Sequence, residues 1–183
     1  MRIFRVVIYV AFRFEWRMGV GSIVSLVHDA FLMVTVFSIL RLEVDITFIA
    51  AVLTIVGYSI NDTIVTFDRI RENLHRSKKI TTEEELATIV NKSLRQTLGR
   101  SVNTVLTVVL VVVALLIFGA EGIRNFSIAL LIGLLAATYS SIFIAVQVWF
   151  DLKVKELRKT GGIDVQKEEK KWGSDEPVST NAK

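Results

Sequence analysis

Hydrophobic residues make up 52% of this 183-residue chain and its mean hydropathy is +0.52, well above an ordinary soluble domain. The net charge of +4 comes without basic stripes interleaved with aromatics for base stacking, so no nucleic-acid role follows from it. With no cysteine in the sequence, disulfides, thiol catalysis and thiolate metal sites are ruled out.

The first apolar run, Ile3 to Phe14, falls short of the ~20 residues that a helix needs to cross a bilayer. It reads as a partial transmembrane helix or, alternatively, an interfacial segment, closed by a cytoplasmic junction that reaches residue 17. A cleavable signal peptide is a poor reading, because Arg13, Glu15 and Arg17 follow where a small-residue cleavage site would stand.

Residues 20–40 form the first full span. Ser22, Ser25 and Asp29 share one face of it, with His28 beside them. The second span, 46–67, carries Asp62 inside an apolar stretch that ends in charges. Ser59, Asp62, Thr66 and Arg69 recur at spacings of three and four, while Asn61 and Asp68 lie on an adjacent line. An ionised aspartate near the centre of a spanning helix costs roughly 2.5–3.5 kcal/mol, so such residues face a partner, a watery cavity or a proton pathway. Burial disfavours the charged form of any carboxyl. That serves a neutral hydrogen-bonded link between helices and a transient proton carrier equally well, and the residues alone leave both readings open.

The 69–100 loop is long but patterned. Thr82 with Glu85 makes a capping box, Glu83 and Glu84 suit a helix N-terminus, and Leu86, Ile89, Val90, Leu94 and Leu98 recur at helical spacing. An amphipathic helix is expected here, lying on the membrane surface or against the ends of its neighbours before turning into the third span at about Ser101. The third span covers 101–119, where Thr97, Ser101 and Thr104 give another polar strip. Polar strips on three helices are most simply turned toward a shared interior.

The last span, 123–150, is longer than a crossing requires, so either its ends form interfacial turns or it tilts. Ala129, Gly133, Ala137, Ser141 and Ala145 recur at every fourth position and make a groove for close helix packing. From 153 to 183 a cytoplasmic, disordered tail is expected, polar and lysine-rich from Thr160 onward.

The expected fold is therefore all-α: a polytopic membrane helix bundle with four full transmembrane helices and a partial N-terminal one. A cytoplasmic amphipathic helix separates the second and third full spans. The segments are 1–17, a bundle over 18–152, and a tail over 153–183. Lys and Arg concentrate in the 69–100 loop and the tail, against Arg41 and Arg124 in the intervening loops. The 13–17 junction, the 69–100 loop and the C-terminus are thus placed in the cytoplasm. No metal site is expected: His28 and Asp29 point about 100° apart on a helix, and no further ligand stands at a suitable spacing. Nucleophile elbows, glycine-rich phosphate loops and soluble catalytic carboxylate pairs are missing, so the chain is read as no enzyme, with no catalytic residue and no cofactor.

The strings YVAFRFEWR (9–17), HDAF (28–31), GYSINDTIVTFDRIREN (57–73) and LLIGLLAATYSSIFIA (130–145) resemble the membrane half of SecF, in the SecD/SecF protein-export family of the resistance-nodulation-division superfamily. The resemblance covers about residues 4–152. It implies an auxiliary subunit in the bacterial inner membrane that uses the proton gradient to promote translocation or release of secretory precursors. The implied partners are SecD or a SecD-like half, the SecYEG translocon and the translocating precursor, with protons as coupling ion. Asp29 in the His-Asp motif is the first expected proton relay and Asp62 the second; Asp68 and Arg69 are expected as an ion pair or gate. His28, Ser25, Ser59, Asn61 and Thr66 are expected as supporting polar groups. A typical SecF begins with a spanning helix and a folded extracytoplasmic domain, so the resemblance points to an N-terminally truncated SecF or a fragment of a fused SecDF. Two other readings stay open: a proton-driven exporter of small molecules or lipids from the same superfamily, and a translocon assembly subunit whose acids are only polar glue.

Overall fold

In a computed structural model of the protein, the described residues are 16–77, 80–160 and 162. The partial helix expected over 3–14 and most of the tail lie outside them. Every described element is helical: α1 (Trp16–Ile39), α2 (Ile46–His75), α3 (Glu83–Phe118), a 3-10 turn (Glu121–Ile123), α4 (Arg124–Ser140), a π-helical turn (Ser141–Ala145) and α5 (Val146–Thr160). Four helices are long and apolar enough to cross a membrane, counting 121–159 as one. The chain is an all-α bundle of membrane-spanning type, as its apolar windows imply.

Local chemistry fixes the helix ends. Asp45 caps α2 by accepting from the backbone N–H of Thr47 and of Phe48, both at 3.0 Å. These bonds and the Thr47 hydroxyl hold its carboxyl below the ordinary aspartate range, the hydroxyl most strongly. Thr82 and Glu85 form the reciprocal capping box of α3, and three glutamates occupy its first turn. Arg41 closes α1 at φ 51°, a left-handed conformation that glycine adopts more readily.

Two expectations are corrected. The 83–100 segment does not turn at Ser101; α3 runs unbroken for 36 residues. No glycine pair or proline interrupts it, and Gly99 alone is too small a penalty to break a helix continued by the apolar run to Phe118. Leu86 and Val90 therefore pack against the bundle instead of lying on lipid. They join Phe67, Ile70, Leu74 and Trp149 in an apolar cluster at the end of the molecule that holds the 76–82 connection, called here the basic end. The helix also continues to Thr160, into the segment expected as tail, because Lys153, Val154 and Leu157 are buried in the bundle.

A second apolar cluster, with Met33, Phe37, Phe48, Ile55, Ala129 and Leu134, lies toward the opposite end. α4 packs against α1, α2 and α3. The approach is close where its residues are small: a Cβ added at Gly133 would stand 2.5 Å from Ile55 Cγ1, and one added at Gly21 of α1 would stand 2.6 Å from the Ala145 carbonyl oxygen. Ala129, Ala137, Ser141 and Ala145 are likewise buried, as helix packing in lipid requires of an interface made by backbones.

Candidate functional site

Between the apolar clusters runs a layer of buried polar side chains. Asp29 of α1, 2% exposed, accepts the Ser59 hydroxyl of α2 at 2.9 Å on Oδ2, and its Oδ1 stands 3.4 Å from His28 Nδ1. One turn away on α1, Ser25 donates to Ser140 of α4 at 3.1 Å; one turn from Ser59 on α2, Thr63 donates to Ser141 at 3.1 Å. Asp29 thus sits at a crossing of three helices, braced by hydroxyl pairs. The π turn begins at this level, where Ser140 reaches α1 and Ser141 reaches α2.

Asp62 has different surroundings. Its Oδ1 accepts the Ser101 hydroxyl of α3 at 2.7 Å, while Oδ2 is buried with no hydrogen-bond partner. The side chain is half-buried in the α2–α3 seam. Thr66, fully buried on the same face, also has an unpartnered hydroxyl. Toward the basic end the seam continues with Asn73, whose amide donates to Ser93 Oγ and Gln96 Oε1, both at 2.8 Å.

The two acids therefore do not share one interior. Residues 59 and 62 are three apart, about 60° short of a full turn, and that offset sends Ser59 to α1 while Asp62 faces α3. The expected strip on α3 is divided as well: Thr97 and Ser101 are buried, but Thr104 is exposed and bonds the Arg100 carbonyl of its own helix. Among the described residues, no cluster of three or more His, Cys, Asp or Glu is arranged to hold a metal ion.

The family model described as Protein export membrane protein SecD/SecF, C-terminal, matches residues 1–155. This chain belongs to the SecD/SecF family. It is 62% identical over 154 residues to the protein translocase subunit SecDF of Bacillus subtilis, covering 84% of this chain and 21% of that protein. It is 54% identical to the protein translocase subunit SecF of Alicyclobacillus acidocaldarius, covering 84% of this chain and 50% of that protein. Among solved structures it resembles SecDF in the super-membrane-facing form, with a TM-score of 0.74 and 43% identity, over 84% of this chain and 20% of that one. A translocon-associated SecDF from Thermus gives a TM-score of 0.73 and 44% identity, over 81% and 20%. The chain thus spans half the length of the SecF relative and about a fifth of the SecDF relatives.

In this SecD/SecF member the charged end of the 57–73 signature is wired differently from expectation. Arg69 gives its guanidinium to Gln96 Oε1, at 2.8 Å, and to Glu72, while Asp68 is exposed. One helical turn favours the (i, i+3) partner, whereas adjacent residues point about 100° apart. Asn61 is exposed and His28 is half-buried beside Asp29.

Two groups escaped the sequence reading. Ser140 and Thr63 complete the hydroxyl crossing, and their only signal was polar character one turn from Asp29-facing positions. Arg17 makes a bidentate pair with Glu156, two bonds of 2.6 Å, joined by the buried Lys153 at 3.2 Å. No local spacing could couple residues 139 apart.

Proposed function

We propose that this chain is the membrane-embedded part of a Sec translocase auxiliary subunit, which promotes translocation or release of secretory proteins using the proton gradient. The names of its relatives support the translocase role. The partners in this reading are a SecD-type half, the SecYEG channel and the precursor, and the orientation places the basic end and C-terminus in the cytoplasm of a bacterial inner membrane.

The observation that carries the proton chemistry is the half-open carboxyl of Asp62: Ser101 holds one oxygen and the other is buried without a partner. A carboxyl that must both bind and release a proton needs one oxygen free of permanent donors. Asp62 is accordingly the exchanging acid. Asp29, with neighbours at both oxygens, ties α1 to α2 beside the hydroxyl pairs that reach α4 and the π turn. This reverses the order that the family resemblance gives the two acids.

The test is export of a secretory precursor in cells carrying the complete SecF or SecDF built around this segment, with Asp62→Asn and, separately, Asp29→Asn. Complex assembly is followed in the same samples, with the gradient intact or collapsed. Asp62→Asn is expected to assemble and to export at the rate of gradient-depleted wild type, while Asp29→Asn keeps gradient-stimulated export. Unchanged, gradient-sensitive export by Asp62→Asn would sink the reading.

A further inference from the structure

At the basic end most cations have a carboxylate partner. Arg69 and Arg76 share Glu72, Arg17 and Lys153 share Glu156, and Arg158 holds Glu83. Lys92 and Arg95 of α3 are exposed and have neither an ion pair nor a hydrogen bond through their side chains among the described residues. Glu72, which Arg69 links to this level of α3 through Gln96, is already taken by two arginines. Standing three apart, Lys92 and Arg95 are neighbours on the helix surface, and their like charges repel unless an anion lies between them.

Their depth in a bilayer follows from helix length. The 36 residues of α3 make about 54 Å of helix, far more than the ~30 Å hydrocarbon core. Counting ~20 spanning residues back from Phe118 sets the edge of the hydrocarbon near Gly99, so Lys92 and Arg95 stand in the headgroup layer. Gly99, Val102 and Leu106 continue the same side of the helix, the five residues falling within an arc of about 80°. Val102 is 48% and Leu106 54% exposed, and a Cβ at Gly99 would meet nothing within 4 Å. Two unpaired cations, a notch and an aliphatic wall thus follow one another down one face. The exposed Lys155 and Lys159 of α5 lack this setting, because Gln147 and Asp151 precede them along their face at the same four-residue spacing.

We propose that the outward face of α3 at the basic end binds one anionic phospholipid. Arg95 offers its planar fork to the phosphate and Lys92 a point charge beside it. The glycerol backbone passes over Gly99, and an acyl chain lies along Val102 and Leu106. Cations at the headgroup level select an anionic lipid over a zwitterionic one, each contributing separately. The site is independent of which acid exchanges protons, and it leaves the seam between α2 and α3 untouched.

The experiment reconstitutes the complete SecF or SecDF with its partner half in mixed phosphatidylglycerol–phosphatidylcholine vesicles. A trace of phosphatidylglycerol or of phosphatidylcholine with a photoreactive acyl chain is added, and labelling of the peptide spanning 98–106 is measured by mass spectrometry. The phosphatidylglycerol probe is expected to label this peptide on the order of tenfold more than the phosphatidylcholine probe. Joint Lys92→Gln and Arg95→Gln substitution should bring the ratio near one, and Gly99→Leu, which fills the notch and keeps both charges, should lower it. Lys155→Gln with Lys159→Gln removes as much charge from α5 and should leave the ratio unchanged. A ratio near one in the wild type, or a high ratio that survives loss of Lys92 and Arg95, would overturn the proposal. Absence of label from both probes would overturn it too, because the face would then be covered by protein. Excess soluble glycerol phosphate should not compete; if it abolishes the preference, the cations take a free phosphate and the lipid assignment is wrong.

Discussion

Ser59 on α2 donates its hydroxyl to Asp29 on α1 at 2.9 Å, and both side chains are sealed from solvent. Removing the donor leaves a buried carboxyl oxygen with nothing to bind. Ser59→Ala is therefore expected to destabilise the bundle by about 1–3 kcal/mol, read as a lower thermal midpoint in detergent. Asp29→Asn, which retains an acceptor and gains a donor, should lose less than Asp29→Ala. Equal losses for the two Asp29 variants would show that the hydrogen bond contributes little.

The glycines separate into two kinds, and the difference is measurable. Gly21→Ala and Gly133→Ala each drive a Cβ into fixed neighbours, the Ala145 carbonyl in one case and Ile55 with Met33 in the other. Overpacking of this sort costs typically ~1–3 kcal/mol. Gly57 and Gly99 have open space over the Cβ position. Alanine there should be neutral or stabilise by up to ~1 kcal/mol through helix propensity. Unfolding of all four variants under one set of conditions checks the contrast.

Acid should loosen the basic end. Burial pushes the Glu156 carboxyl up, but the Arg17 guanidinium and the Lys153 ammonium together hold it below the ordinary glutamate value of 4.5. The Arg158 hydrogen bond likewise holds Glu83 down, and the Thr81 and Thr82 backbone N–H groups hold Glu85 down. A carboxyl lowered on folding contributes stability that is complete above its unfolded value and disappears as pH falls through its folded one. Thermal stability is thus expected to be flat near neutrality and to fall at pH below about 4.5. Glu156→Gln should be less stable at neutral pH and should flatten that acid limb. An acid limb unchanged in Glu156→Gln would remove the Arg17 clamp as its cause.

Much of the bundle was legible because spanning helices announce themselves through length and apolarity, and the Thr82–Glu85 box marks the start of α3 within four residues of sequence. Legibility ended where geometry depends on which neighbour a face meets. Ser59 and Asp62 look like one polar strip, yet the 60° between them divides them between α1 and α3. Arg69 next to Asp68 reads as a charge pair, yet the helix turns Arg69 toward Glu72 and Gln96. The length of α3 is not legible because an amphipathic stripe followed by an apolar run reads as two helices with a turn at Ser101, and only the extended ends of α2 and α5 supply the protein surface that lets one unbroken helix bury both. Thr66 was picked out as polar, but its orphaned hydroxyl is a property of register, which no single helix contains.

Proton flux by the purified complete SecF or SecDF with its partner half, reconstituted in sealed vesicles and driven by an imposed pH step, tests the role of Asp62 most directly. Wild type is expected to conduct, Asp62→Asn to fall to the leak of empty vesicles, and Asp29→Asn to conduct as wild type does. Flux in Asp62→Asn equal to wild type would contradict the assignment, because the half-open carboxyl in the α2–α3 seam would then carry no proton.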